Sequence, residues 1–143
     1  MKKKFRILVI NPGSTSTKLS LFQNEEVLFR KNIAHSNEVL QPFAKVWDQY
    51  DFRLKIMLEF LKKKRVKMTE LDAVVGRGGL LKPLESGTYR INCKMLEHLK
   101  RGLFGEHASN LGALLAYHIG RKADIPAYIV DPVVVDEMSD IAR

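Results

Sequence analysis

The sequence predicts an α/β domain in which helices cover a mixed β-sheet. Three short strand-like segments open the chain with short links between them, which is typical of an antiparallel meander. Segments whose apolar residues recur at helical spacing then alternate with further short apolar runs. This order is typical of parallel strands that are joined by crossover helices. Antiparallel and parallel pairing are therefore expected within one sheet.

The meander is predicted from three segments. Residues 5–10 form an apolar run rich in branched side chains, and residues 18–22 alternate apolar with polar side chains. Residues 27–33 follow a polar turn and complete the third strand. No repeat or linker interrupts this pattern, which predicts one domain over residues 1–143.

Two helices are predicted after the meander. The first begins at Ser36, a plausible N-cap, and its apolar side chains recur at helical spacing as far as Trp47. The second ends in the basic cluster at residues 62–67. Its apolar face is predicted to consist of Phe52, Ile56, Phe60 and Leu61.

The remaining segments alternate between strands and helices. Residues 72–76 are predicted as a central strand that leads into a glycine-rich loop, and residues 88–91 as a short strand. Asn92 is expected to cap a helix that ends near Gly102, and residues 127–130 form the last strand. A further helix is predicted before the last strand, because Leu111, Leu114, Leu115, His118 and Ile119 form a stripe at helical spacing.

Composition excludes several classes of protein. The chain has 143 residues, 45% of them hydrophobic and 28% charged, which excludes a disordered chain and fits one domain or half of a two-domain protein. The apolar runs are too short to cross a bilayer, and the N-terminus lacks the apolar core of a signal peptide. The single cysteine, Cys93, suits a reducing compartment. These features predict a cytoplasmic protein without a membrane partner.

The net charge of +8 raises nucleic acid as a possible partner. However, nine of the 24 basic residues fall in two short clusters, four in residues 2–6 and five in residues 62–67. No zinc-finger spacing or RNA-binding signature accompanies them, and cations suit the end of a helix. The sequence therefore argues against nucleic-acid binding.

Residues 11–18, Asn-Pro-Gly-Ser-Thr-Ser-Thr-Lys, have the composition of a phosphate site. Hydroxyl and backbone N–H donors in a tight turn, with a lysine alongside, suit a polyphosphate, and a glycine lets the backbone approach it. A Walker loop is excluded, because the second glycine is missing and a strand follows. A polar hairpin turn is the alternative interpretation.

Three further residues lie where chemistry is possible. Arg77 stands among glycines at the end of the predicted central strand, either facing a ligand or as an ordinary loop arginine. Asp131 follows the last strand, where a carboxylate could hold Mg²⁺, orient a reacting group or cap the next helix. His107 could donate to an anionic oxygen or could buttress its loop.

Residues 10–18 resemble the N-terminal signature of the acetokinase family, the acetate and butyrate kinases. Residues 74–83, 105–112 and 125–138 are similar to blocks of the butyrate kinases in particular. This resemblance implies a ribonuclease-H-like domain of the actin-like ATPase type, in agreement with the order of elements. It also implies the reaction of ATP with a carboxylate, butyrate or a similar short-chain acid, to give ADP and an acyl phosphate, with Mg²⁺.

The resemblance implies a role for each candidate residue. Arg77 would hold the carboxylate and the transferring phosphoryl group, Asp131 would act with Mg²⁺ or position the reactants, and His107 would stabilise the transferred group. The residues expected to bind the nucleotide phosphates are Asn11, Gly13, Ser14, Ser16 and Lys18. Residues 133–135, three valines, are candidates for an acyl pocket, although core packing is an alternative.

Family members continue into a second domain, which supplies most of the adenosine pocket and much of the dimer interface. The resemblance therefore implies that residues 1–143 are an N-terminal domain with about half of the site, nearly inactive alone, and that the full-length form is a homo-oligomer. Two alternatives stay open: a kinase for another short-chain acid, and a non-catalytic module that binds nucleotide or phosphate.

Overall fold

The computed structural model describes residues 3–131, which fold around a six-stranded sheet. The strands are β1 (Arg6–Pro12), β2 (Ser16–Gln23), β3 (Glu26–Ala34), β4 (Ala73–Arg77), β5 (Thr88–Arg90) and β6 (Ala127–Val130). The helices are α1 (Asn37–Leu40), α2 (Tyr50–Lys63), α3 (Cys93–Arg101) and α4 (Asn110–Ala123), with single 3₁₀ turns at Val46–Gln49 and Met68–Glu70.

The strand order is β3-β2-β1-β4-β6-β5. The first three strands pair antiparallel, β1 pairs parallel with β4 and β4 with β6, and β5 closes the edge antiparallel to β6. The predicted mixed sheet with an N-terminal meander is therefore confirmed. The parallel strands are joined by crossovers that contain helices, as this pairing requires.

The two faces of the sheet differ in burial because successive side chains of a strand point to opposite faces. One face packs against α2 and α4, and its buried side chains include Leu8, Ile10, Leu19, Leu21, Val74 and Ile129. The opposite face, called the open face below, has half-buried side chains at Ile7, Val9, Asn11 and Val75 and exposed ones at Lys18 and Arg77. The candidate site lies on this open face.

Two helix predictions are wrong in part. The helix expected from Ser36 to Trp47 forms only one turn, in which Ser36 Oγ accepts from the N–H of Val39 at 3.3 Å. Pro42 explains the break, since proline has no N–H with which to continue the helical hydrogen bonds. The second helix forms as α2, but its apolar face is shifted by one residue. Its buried side chains are Arg53, Met57 and Leu61.

The other predicted elements are confirmed. Asn92 Oδ1 accepts from the N–H of Met95 and caps α3, and Gly102 ends that helix in the left-handed region at φ 63°. No helix within residues 3–131 is both long and apolar enough to cross a membrane. The valines at 133–135 and the end of the 125–138 block lie outside the described residues.

Candidate functional site

Three predicted site residues form a row across the open face. Asn11 of β1 pairs with Lys18 of β2 in the antiparallel register. In the parallel register Ile10 pairs with Gly76, so the next residues along each strand, Asn11 and Arg77, continue the same row. Lys18, Asn11 and Arg77 therefore follow one another across three adjacent strands, although Arg77 lies far away in the sequence.

A cavity of about 200 Å³ lies beside this row, at the end of the sheet where β1, β4 and β6 finish. Asn11, Arg77 and Asp131 supply its polar groups. The other lining residues are Val9, Val75, Gly76 and Val130, so the floor is largely apolar. The structure thus brings together an amide, a guanidinium and a carboxylate that the sequence had singled out separately.

The turn between β1 and β2, called the 13–16 loop below, is tightly closed. The N–H of Gly13 donates to the carbonyl oxygen of Ser16 at 2.7 Å, and the N–H of His35 donates to the carbonyl oxygen of Thr15 at 2.7 Å. Ser14 and Thr15 are exposed, while Ser16 is half-buried. The backbone of the loop is anchored on its inner side, and hydroxyl groups remain accessible outside.

Arg53 of α2 anchors this loop from the core and was not predicted from the sequence. Its side chain is 0% exposed. Its guanidinium donates to the carbonyl oxygens of Ser16 at 2.9 Å and Ser14 at 3.4 Å, and to the hydroxyl of Thr17 at 3.2 Å. Burial lowers the pKa of Arg53 to about 10, so the group stays positively charged at pH 7. The available signal was its i, i+4 spacing from Met57, which puts residue 53 on the buried stripe.

His35 extends this buried network. Its Nε2 lies 2.8 Å from Thr17 Oγ1, and its ring packs edge-on against Phe52 with centroids 5.3 Å apart. The Thr17 oxygen accepts from Arg53, so its own hydrogen is free to donate to Nε2 of a neutral His35. Burial, and then the positive charge of Arg53, hold the pKa of His35 below its usual value.

Asp131 is held at the rim of the cavity by Gly87. The N–H of Gly87 donates to Asp131 Oδ1 at 3.0 Å, and the N–H of Asp131 donates to the carbonyl oxygen of Gly87 at 3.0 Å. Asp131 has a left-handed backbone, with φ 44°. Whether it also caps a following helix falls outside the described residues.

His107 lies in the loop that precedes α4 and is not among the residues that line the cavity. Its Nδ1 accepts from the N–H of Ser109 at 3.0 Å and lies 2.7 Å from Ser109 Oγ. A backbone N–H can only donate, so Nδ1 must carry a lone pair. The ring proton of neutral His107 is therefore on Nε2, the nitrogen that remains available to a ligand.

Asn110 ties the loop of His107 to the glycine-rich loop and was also missed. Its Oδ1 accepts from the N–H of Leu80 at 2.8 Å, and its Nδ2 donates to the carbonyl oxygen of Gly105 at 2.9 Å. The side chain is buried. A lone amide before the apolar first two turns of a helix was the signal that could have found it.

The sequences of known proteins match nearly the whole of this chain. It is 50% identical over 139 residues to butyrate kinase 1 of Clostridium acetobutylicum, and 52% identical over 140 residues to butyrate kinase 2 of that organism. The chain is homologous to the N-terminal part of butyrate kinases. These matches cover 97% and 98% of this chain but 39% of each relative, so the chain spans about two fifths of their length. No family model matches the sequence.

A solved structure supports the fold. The crystal structure of Porphyromonas gingivalis acetate kinase superposes with a TM-score of 0.55 and 18% sequence identity. The match covers 88% of this chain and 37% of that one. At this identity the likeness concerns the fold alone, and it confirms the predicted actin-like ATPase architecture.

Proposed function

We propose that this chain forms part of an ATP-dependent carboxylate kinase, which converts a short-chain acid into an acyl phosphate. The row of Lys18, Asn11 and Arg77 beside a cavity that also contains Asp131 carries this proposal. Two cations and one amide on one edge of the sheet suit a reaction between two anions. The homology with butyrate kinases supports the same conclusion.

The chemistry requires positive charge rather than a strong base. A carboxylic acid is already ionised at pH 7, so no proton has to be removed from the acceptor. One carboxylate oxygen bonds to the γ-phosphorus of ATP while the bond from that phosphorus to the ADP oxygen breaks. Preorganised cations and N–H donors stabilise the charge on the transferring group.

Each candidate residue has a role in this proposal. Lys18 and Asn11, with the hydroxyl groups of Ser14 and Ser16, bind the nucleotide phosphates. Gly13, whose N–H already donates to Ser16, lets the backbone approach the phosphates closely. Arg77 binds the carboxylate and the transferring phosphoryl group, and His107 donates to that group through the proton on Nε2.

Asp131 is proposed to assist Mg²⁺ indirectly. Within residues 3–131 no group of three His, Cys, Asp or Glu side chains could hold a metal ion. One carboxylate at the rim of a phosphate site nevertheless fits Mg²⁺, which is commonly bound by one or two carboxylates together with substrate phosphates. When bound, Mg²⁺ neutralises phosphate charge. Gly87 holds Asp131 in place for this role.

The aliphatic part of the acid is proposed to lie on the apolar floor of the cavity. Val9, Val75 and Val130 form this floor next to Arg77. A carboxylate on Arg77 and a short alkyl chain on the valines would fill the cavity of about 200 Å³. Comparison of acetate, propionate, butyrate and pentanoate as substrates tests this assignment.

The rest of the site is proposed to come from the part of the butyrate kinases that this chain does not match. The chain spans 39% of their length, and we infer that its 143 residues act as an N-terminal domain of a cytoplasmic homo-oligomer. Alone it should bind nucleotide weakly and turn over little.

The deciding experiment traps acyl phosphate with hydroxylamine in the presence of ATP, Mg²⁺ and butyrate. The chain is assayed alone and as a chimaera in which it replaces the matched part of C. acetobutylicum butyrate kinase 1. An inactive chain and an active chimaera are expected. A folded chimaera that binds ADP but forms no acyl phosphate with any acid of the series would contradict the kinase and favour a non-catalytic binding module.

A further inference from the structure

We propose that Arg53 is a positioning residue for phosphate binding, one that orients the backbone of the 13–16 loop and places a positive charge behind it. This inference rests on the proposed function, because it assumes that the loop binds phosphate. Arg53 does not itself reach the open face, since its side chain is fully buried. It acts through the loop.

The guanidinium is held by five contacts, as many as it has N–H groups. Gln49 Oε1 accepts from Nε at 3.1 Å and from Nη2 at 2.9 Å. Nη1 donates to Thr17 Oγ1 and to the carbonyl oxygen of Ser16, and Nη2 donates to the carbonyl oxygen of Ser14. Two loop carbonyls, which would repel a phosphate, are thereby turned toward the core. The hydroxyl groups of Ser14 and Thr15 are left accessible on the outer side.

The charge of Arg53 is not neutralised by any of these partners. They are carbonyl oxygens, a hydroxyl and an amide, and the two ion pairs found within residues 3–131 involve Arg6 and Arg101 instead. A buried charge without a counter-ion is costly, and an anion on the outer side of the loop would offset that cost. The charge of Arg53 and the affinity for phosphate should therefore be coupled.

Inorganic tripolyphosphate is the probe for this coupling, because it contains the phosphate charge without the nucleoside. Its affinity for the 143-residue chain is measured by calorimetry for wild type, Arg53→Met, Arg53→Lys and Lys55→Met. Lys55 is exposed on the same helix, so Lys55→Met removes the same net charge away from the loop. Arg53→Met should lower affinity by about tenfold or more, and Lys55→Met by less than about twofold.

The pH dependence of tripolyphosphate binding by Arg53→Lys tests whether the charge at position 53 matters, beyond a purely structural role of the side chain. A buried lysine loses its proton at lower pH than an exposed one, whereas Arg53, with a pKa of about 10, stays largely charged up to pH 9. The affinity of Arg53→Lys relative to wild type should therefore fall between pH 7 and pH 9. The same ratio for Lys55→Met should stay constant.

Urea unfolding of each variant separates loss of fold from loss of binding. If Arg53→Met does not fold, Arg53→Lys and Gln49→Met decide, and each should bind tripolyphosphate at least about threefold more weakly than wild type. Folded variants that bind within twofold of wild type at both pH values would overturn the role of Arg53 while the proposed function stands. Wild type that binds no tripolyphosphate would overturn the phosphate site, and this inference with it.

Discussion

Gly76 at the end of β4 and Gly112 in the first turn of α4 are in direct backbone contact. A Cβ on Gly76 would collide with the carbonyl of Gly112, and a Cβ on Gly112 would collide with the carbonyl oxygen of Arg77. This contact fixes the position of β4 relative to α4, and therefore the position of Arg77 beside the cavity.

Gly112→Ala is expected to destabilise the chain by about 2 kcal/mol or more, measured by urea unfolding. Alanine improves helix propensity by about 1 kcal/mol, but the clash is with backbone and cannot relax by a rotamer change. Gly13→Ala is the control, because its Cβ would meet Ser16 Oγ at an ordinary 3.4 Å. Equal stability of the two variants would contradict the contact.

Arg77→Ala in the active chimaera is expected to lower kcat/KM for butyrate by on the order of 10²–10³-fold, because a cation is removed from the transferring group. Arg101→Ala is the matched control. Arg101 is an exposed arginine of α3 paired with Glu97 at 3.3 Å, and its loss should leave kcat/KM unchanged. An effect of Arg77→Ala below tenfold would remove Arg77 from the site.

The free energy of unfolding is expected to fall as the pH drops below about 6.5, because the pKa of His35 is lowered in the folded state. Below about pH 6.5 the unfolded chain binds a proton at His35 more readily than the folded chain does. The stabilisation that comes from neutral His35 is therefore complete above this pH and is lost on acidification. The slope for one such group is at most about 1.4 kcal/mol per pH unit.

His35→Gln isolates this contribution, since glutamine can accept from Thr17 but does not titrate. Burial, and then Lys122, also lower the pKa of His118, so some pH dependence should remain in His35→Gln. Unfolding curves at pH 5 and pH 7 should differ less for the variant than for wild type. An identical difference would show that His35 is not held neutral.

Asn110→Leu is expected to cost about 1–3 kcal/mol, because the N–H of Leu80 and the carbonyl oxygen of Gly105 lose their partner. Asn110→Asp keeps the acceptor for Leu80 and loses only the donor to Gly105. If Asn110 Oδ1 accepts from Leu80, the Leu80 amide should exchange its hydrogen faster in Asn110→Leu than in Asn110→Asp. Similar exchange in both variants would argue against the bridge.

In the neutral form of His107 the ring proton is expected to be on Nε2, because Nδ1 accepts from the N–H of Ser109. The ¹⁵N chemical shifts of the two ring nitrogens distinguish the tautomers at pH 8. Ser109→Ala removes the second contact of Nδ1 but keeps the backbone donor, so the tautomer should persist. A proton on Nδ1 in wild type would contradict this geometry and the proposed role of Nε2.

The site residues that the sequence-based predictions missed share a physical cause. Branched apolar runs and local caps predicted the strands and α3 correctly, because those signals act within a few residues. Arg53 was passed over because burial of an arginine depends on acceptors elsewhere in the chain. The carbonyl oxygens that accept from it lie more than 35 residues away, at Ser14 and Ser16.

By itself the sequence determined the strands and most of the helices of this protein, the composition of the 11–18 segment and the resemblance to acetate and butyrate kinases. Their arrangement was decided by tertiary structure. Strand register sets Lys18, Asn11 and Arg77 in one row, and long-range hydrogen bonds set Arg53 behind the loop. Hydrophobic periodicity shows which side of a strand is buried, whereas pairing between distant strands depends on the packing of the whole chain.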